Sequence, residues 1–134
     1  MAIETGARVR RPVSRRRLVS AVTGVGVVAA GLAVHAFAPD GFASDAAGDA
    51  LYAALIYLLG VFIRPRAASW IVAVAALGWC AAVELFQLTG LPEVWGAAFT
   101  PLMLVFGTVF APQDLLLYAA GVAAAWAIDA LVRR

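Results

Sequence analysis

Apolar and polar positions alternate in long blocks along this 134-residue chain, and four of the apolar blocks are long enough to matter. Leu18–Ala38 carries no charged side chain, and its length suits a helix crossing a ~30 Å hydrocarbon core. A turn rich in Gly, Ser and Asp follows. The next apolar run reaches Ile63 and is stopped by Arg64-Pro65-Arg66. Extended back to Ala46 it is long enough to span, with Asp45 and Asp49 at the interface. Ser69–Gly90 is apolar for more than three turns before Glu84 and Gln87 interrupt it, and Leu91-Pro92-Glu93 breaks it. The last block, Asp114–Val132, is apolar except for Asp114 and Asp129. The pattern therefore predicts helices over about 18–38, 46–63, 67–90 and 114–132.

Between the third and fourth blocks, Ala97–Ala111 is apolar but bounded by Thr100-Pro101 and Pro112. Threonine followed by proline is a helix start, so a short helix is expected at about 101–110. It is too short to cross and should be interfacial or re-entrant. The expected fold is all-α, an integral membrane four-helix bundle with that short helix before the last span. Residues 1–17, basic and without apolar periodicity, read as a disordered cytoplasmic arm, and 18–134 as a single transmembrane domain. An arginine-rich start running into an apolar block also resembles a signal peptide. Pro39 after Ala36-Phe37-Ala38 and the length of the run favour an uncleaved helix.

Composition agrees with the class. The chain is 64% hydrophobic and 13% charged, far from the balance of a soluble domain. Its basic residues are ten arginines and no lysine, in three blocks: before the first span, between the second and third, and after the last. That arrangement is no nucleic-acid face. Four crossings place every arginine on one side, and Asp40, Asp45, Asp49, Glu93 and Asp114 on the other. The positive-inside rule then puts both termini in the cytoplasm of a cell-membrane protein. One cysteine, Cys80, and one histidine, His35, leave no disulfide framework and no metal set. No cofactor is expected.

The orientation gathers the remaining polar residues. Glu84 and Gln87, three apart, share a helical face, and Glu84 lies roughly 8 Å below the outer end of its helix at the usual rise. Asp49 and Asp114 open the second and fourth helices at the same level, where each is also suited to cap exposed amides. Tyr52 and Tyr118 follow a turn inward as hydrogen-bond donors. The candidate ligand-binding set is Asp49, Glu84, Gln87, Asp114, Tyr52 and Tyr118, converging on an extracytoplasmic pocket. A carboxyl in the middle of a spanning helix is costly and needs a partner, so Glu84 should face the bundle interior. His35 reads as an interfacial residue. Asp129, four before Arg133, reads as half of a local ion pair.

The order Gly48-Asp49 and Tyr57, then Glu84-Leu85-Phe86-Gln87, then Phe106–Phe110 and Asp114 to Gly121 resembles a family of short bacterial integral membrane proteins of unknown function. That family is distantly similar to VanZ-like proteins. The resemblance implies that Glu84, Gln87 and Asp114 are the recurrent polar positions and that the role concerns the cell envelope. The sequence lacks the Arg-Gly after the Gln and the Asn of the final helix that go with VanZ proper.

Three function classes follow. One is a binding or transport-like protein for a lipid or envelope-precursor ligand. The second is an intramembrane enzyme with Glu84 as acid or base beside Asp114, although no Ser/His/Asp set or HExxH motif is present. The third is a structural subunit with the carboxylates as packing elements; whichever holds, the expected partners are the bilayer, a lipid or envelope-precursor ligand and further copies of the chain.

Overall fold

A computed structural model describes residues 13–133, with side chains from Arg15 onward. Six helices make up its order: α1 Val13–Phe37, α2 Phe42–Ile63, α3 Ser69–Gln87, α4 Leu91–Ala98, α5 Leu102–Phe106 and α6 Pro112–Val132. Among the described residues there is no strand. The fold is all-α, and α1, α2, α3 and α6 are long and apolar enough to cross a membrane. We describe the chain as a multi-pass membrane protein on that basis.

Each spanning helix buries one stripe and leaves large apolar side chains outside. Ala53, Tyr57 and Val61 recur every fourth residue on α2, and Val72, Ala73, Ala76, Cys80, Val83, Glu84 and Gln87 form the buried face of α3. Tyr118, Gly121 and Val122 meet them from α6. Lipid offers no hydrophobic driving force between helices, so close approach depends on small residues and on polar pairs. Gly121 is such a residue: a Cβ there would run into the backbone carbonyl of Ala50. The backbone of α1 packs against α2 alone, and its Leu18, Val22, Val25 and Leu32 stay exposed, as a lipid-facing helix requires.

The helix bounds differ from the sequence expectation at informative places. α2 begins at Phe42 rather than near 46, because Gly41 closes the turn and Asp45 N–H already bonds to its carbonyl. α1 takes in Arg15, Arg16 and Arg17, which the sequence reading left in the basic arm. The rest of that expected arm, residues 1–12, lies outside the described residues. The single short helix expected at 101–110 is replaced by two, α4 and α5, with Gly90 (φ 75°) and Gly107 (φ 64°) in left-handed conformation before and after them. Both return to the end from which they left. Phe86, Trp95 and Phe106 form an aromatic triangle with centroids 5.4–6.1 Å apart, which clips α4 and α5 onto the end of α3.

At the opposite end a polar hub ties the bundle together. Arg16 donates to both oxygens of Asp129, at 3.3 and 2.6 Å, and to the carbonyls of Pro65 and Ala67 at 2.7 and 2.9 Å. The Tyr57 hydroxyl donates to the same carboxylate. One guanidinium thus joins α1, α6 and the α2–α3 loop. The local Asp129–Arg133 pair expected from spacing does not form; Arg133 instead donates to Ser69 Oγ at 2.9 Å. The reason is competition: the planar fork of Arg16 offers bidentate geometry that a neighbour on the same helix does not.

Candidate functional site

The polar residues near the acidic end fall into two groups, one sealed and one open. Glu84 is 0% exposed. Its Oε1 accepts the N–H of Ala111 at 2.6 Å and its Oε2 the Tyr118 hydroxyl at 3.3 Å. Ala111 is the N-cap residue of α6 and has no side chain to cap with. The carboxyl of α3 therefore anchors the start of α6. This inward placement beside Tyr118 follows the energetic argument from the sequence, but the partner is a backbone amide that no side-chain pattern reveals.

Gln87, one turn on, is 7% exposed and spends its amide N–H on the Phe106 carbonyl at 2.7 Å. It holds the α5–α6 connection as Glu84 holds the helix start. Its Oε1 is buried without a hydrogen-bond partner among the described residues. Gly107 is required beside it for two reasons: its φ of 64°, and the Gln87 Nε2 that a Cβ would strike.

The open group lines a cavity of about 710 Å³ between α1, α2, α5 and α6. Asp49, Tyr52, Gln87, Asp114 and Tyr118 are on its wall, and Glu84 is not. Five of the six candidate residues thus share one cavity, and the sixth stands behind it. Asp49 and Asp114 bring their carboxyls within interaction range of each other. Neither acts as the helix cap that its position suggested. α2 starts seven residues before Asp49, and no side-chain cap bond forms at the start of either helix. Tyr52 donates to the Val105 carbonyl at 2.7 Å and accepts from Trp79 Nε1 at 3.0 Å, and its ring lies 6.0 Å from that of Tyr118.

The cavity's charge is one-sided. Asp40 and Asp45 join Asp49 and Asp114 in its lining, His35 lines it too, and no arginine reaches it among the described residues. Two carboxyls this close do not both ionise readily; they share a proton or take a cation or hydroxyl donors between them. Among the described residues no group of three or more His, Cys, Asp or Glu is disposed to hold a metal ion. Chemically, the carboxyl oxygens of Asp49 and Asp114 can accept from a cation or from hydroxyl donors.

Sequence reasoning missed Trp79, which orients Tyr52, and the Arg16–Asp129–Tyr57 hub. Trp79 reads as one more apolar residue in a spanning helix; its indole N–H is the only signal, and that shows only when a partner is known.

No curated protein and no solved structure matches the chain. A family model described as "Protein of unknown function (DUF2809)" matches residues 38–122. That stretch runs from the α1–α2 turn through α2, α3, α4 and α5 into α6, and contains all six candidate residues. The chain belongs to this DUF2809 family of proteins of unknown function.

Proposed function

We propose that this protein is a bacterial cell-membrane binding protein, its termini in the cytoplasm, whose acidic outer cavity holds an amphiphile with a cationic or hydroxyl-rich head. The observation that carries this reading is the cavity of about 710 Å³ in which Asp49 and Asp114 lie close together with no arginine among the described lining residues. Carboxylates placed at membrane depth are expensive and are retained for pathways or ligands. The unpartnered Gln87 Oε1 at the same wall supports it, since a buried acceptor without a donor costs about 1–3 kcal/mol. Gln87, Tyr52 and Tyr118 would orient the head, and the α1 wall around Leu32 would take the tail. The orientation rests on the described arginines, which all lie at the end opposite the cavity. The cell-envelope or lipid-linked class of ligand rests on the VanZ-like resemblance of Glu84 to Gln87 and Asp114; the family match carries no function of its own. The enzymatic reading asked Glu84 to act as acid or base, and a sealed carboxyl already bonded to Ala111 and Tyr118 argues for positioning instead.

Lipid-resolved native mass spectrometry of the protein purified from its host membrane tests this reading. Wild type should carry a defined amphiphile. Asp49→Asn with Asp114→Asn should lose it, while Glu84→Gln should keep it. Wild type carrying only bulk lipid, or the double variant retaining the same ligand, would overturn the proposal.

A further inference from the structure

A second cavity, of about 600 Å³, opens between α1 and α6 over α2, in the half of the bundle away from Asp49 and Asp114. It exists because α1 packs only on α2, leaving a gap to α6 that Arg16 bridges at one end. Val19 and Val27 line one side, Ala120 and Ala124 the other, and Ala54 the floor. The small residues on α2 and α6 make the gap wide, and none of these five offers a polar group.

The mouth is of opposite character. Arg15, Arg16 and Arg133 all line it, and Asp129 is the one acidic residue there among the described residues. Asp129 is committed to Arg16, whose four hydrogen bonds hold the hub. Among the described residues of the lining, nothing compensates the positive charges of Arg15 and Arg133.

We infer that this groove binds one anionic phospholipid, its phosphate headgroup at Arg15 and Arg133 and an acyl chain between α1 and α6. Depth favours a lipid over a helix. From Arg15 to Val27 the groove runs twelve residues along α1, roughly 18 Å at helical rise, about one leaflet of a ~30 Å core. At mid-depth, around Val27 and Leu51, it gives way to the acidic cavity. An acyl chain ends there. A helix of a second copy would have to continue past Asp49 and Asp114. Basic pockets between spanning helices at the headgroup level are sites for anionic lipid heads, and here the apolar slot lies directly beneath one.

The test uses the whole protein reconstituted in vesicles of equal parts phosphatidylglycerol and phosphatidylcholine with matched chains, then examined by native mass spectrometry. Wild type should retain one phosphatidylglycerol in preference to phosphatidylcholine by roughly tenfold or more, the effect of two arginines near a headgroup. Arg15→Gln combined with Arg133→Gln should bring the two lipids to near parity. Ala124→Leu, at an exposed groove position, should reduce retention of both lipids. Parity in wild type would overturn the inference, as would a dimer that carries no lipid or an Ala124→Leu variant that retains lipid as wild type does. Repeated in the Asp49→Asn, Asp114→Asn background, the same preference for phosphatidylglycerol should persist, so failure of this site and failure of the outer cavity are read separately.

Discussion

Glu84 shows what a single carboxyl does when a bilayer surrounds it. Its two oxygens hold the Ala111 amide and the Tyr118 hydroxyl, and nothing else reaches it among the described residues. Glu84→Gln preserves both contacts, because the amide oxygen still accepts from Ala111 and the rotatable Tyr118 hydroxyl can accept from the new N–H. Thermal unfolding in detergent should place this variant within about 1 kcal/mol of wild type. Glu84→Leu strands the buried Tyr118 hydroxyl and the half-buried Ala111 amide, the former at about 1–3 kcal/mol, and should unfold markedly earlier. Equal stability of the two variants would remove Glu84 from its anchoring role. At the other end, Asp129→Asn leaves the Arg16 guanidinium without its counter-charge and should cost about 2–3 kcal/mol. That is below the figure for a fully buried pair, since both partners keep some exposure, 15% and 14%. Tyr57→Phe, losing only the hydroxyl contact, should cost about half as much. The inward direction of Glu84 was legible in the sequence because a carboxyl in an apolar helix has only one affordable side. The partner of Asp129 was not: Arg133 at i+4 is the obvious choice on paper, and only the bundle brings Arg16 across 113 residues.

At the scale of elements, the apolar blocks gave the four spans because twenty apolar residues have one economical conformation in lipid. Their starts were less legible. Phe42-Ala43-Ser44 reads as turn, yet Gly41 opens a helix there, and this changes the role of Asp49 from a cap to a residue of the cavity wall. The α4–α5 segment was legible as non-crossing from its prolines but not as two helices, since Leu91-Pro92-Glu93 reads as a break whereas Pro92 sits in the first turn of α4. Two glycines fix how these elements meet. Gly121→Ala would push a methyl into the Ala50 carbonyl, which is backbone and cannot rotate away. α2 and α6 must then separate, at the 1–3 kcal/mol typical of overpacking or more, and the Tyr52–Tyr118 and Asp49–Asp114 pairings across that seam should loosen with them. Gly107→Ala combines a left-handed φ with a collision at Gln87 Nε2, so it should release the Gln87–Phe106 bond. Hydrogen exchange checks the distinction. Gly121→Ala should speed exchange in α2 and α6, whereas Gly107→Ala should speed it in α5 and at the start of α6 only.

The whole molecule has two chemically different ends, and that asymmetry makes its orientation testable. Arg16 and Asp129 join the first helix to the last at one end, so an even number of crossings separates them. Arg17 bonds the Phe62 carbonyl, Arg133 bonds Ser69, and Arg64 and Arg66 occupy the loop between, which puts the described arginines together. The turn at Asp40 and the α4–α5 segment lie at the opposite end with the acidic residues. If positive charge stays in the cytoplasm, a membrane-impermeant thiol reagent applied to intact cells should find the second end and miss the first. In a Cys80→Ala background, whose native thiol is buried in any case, Asp40→Cys and Val109→Cys should be labelled from outside, since both positions are exposed. Arg66→Cys, equally exposed, should react only after the membrane is opened. Labelling of Arg66→Cys in intact cells, with Asp40→Cys protected, would invert the protein and turn the acidic cavity toward the cytoplasm. A split between Asp40→Cys and Val109→Cys would be more damaging still, because it would require residues 91–111 to cross, and a segment of 8- and 5-residue helices has neither the length nor the continuous hydrogen bonding to do so.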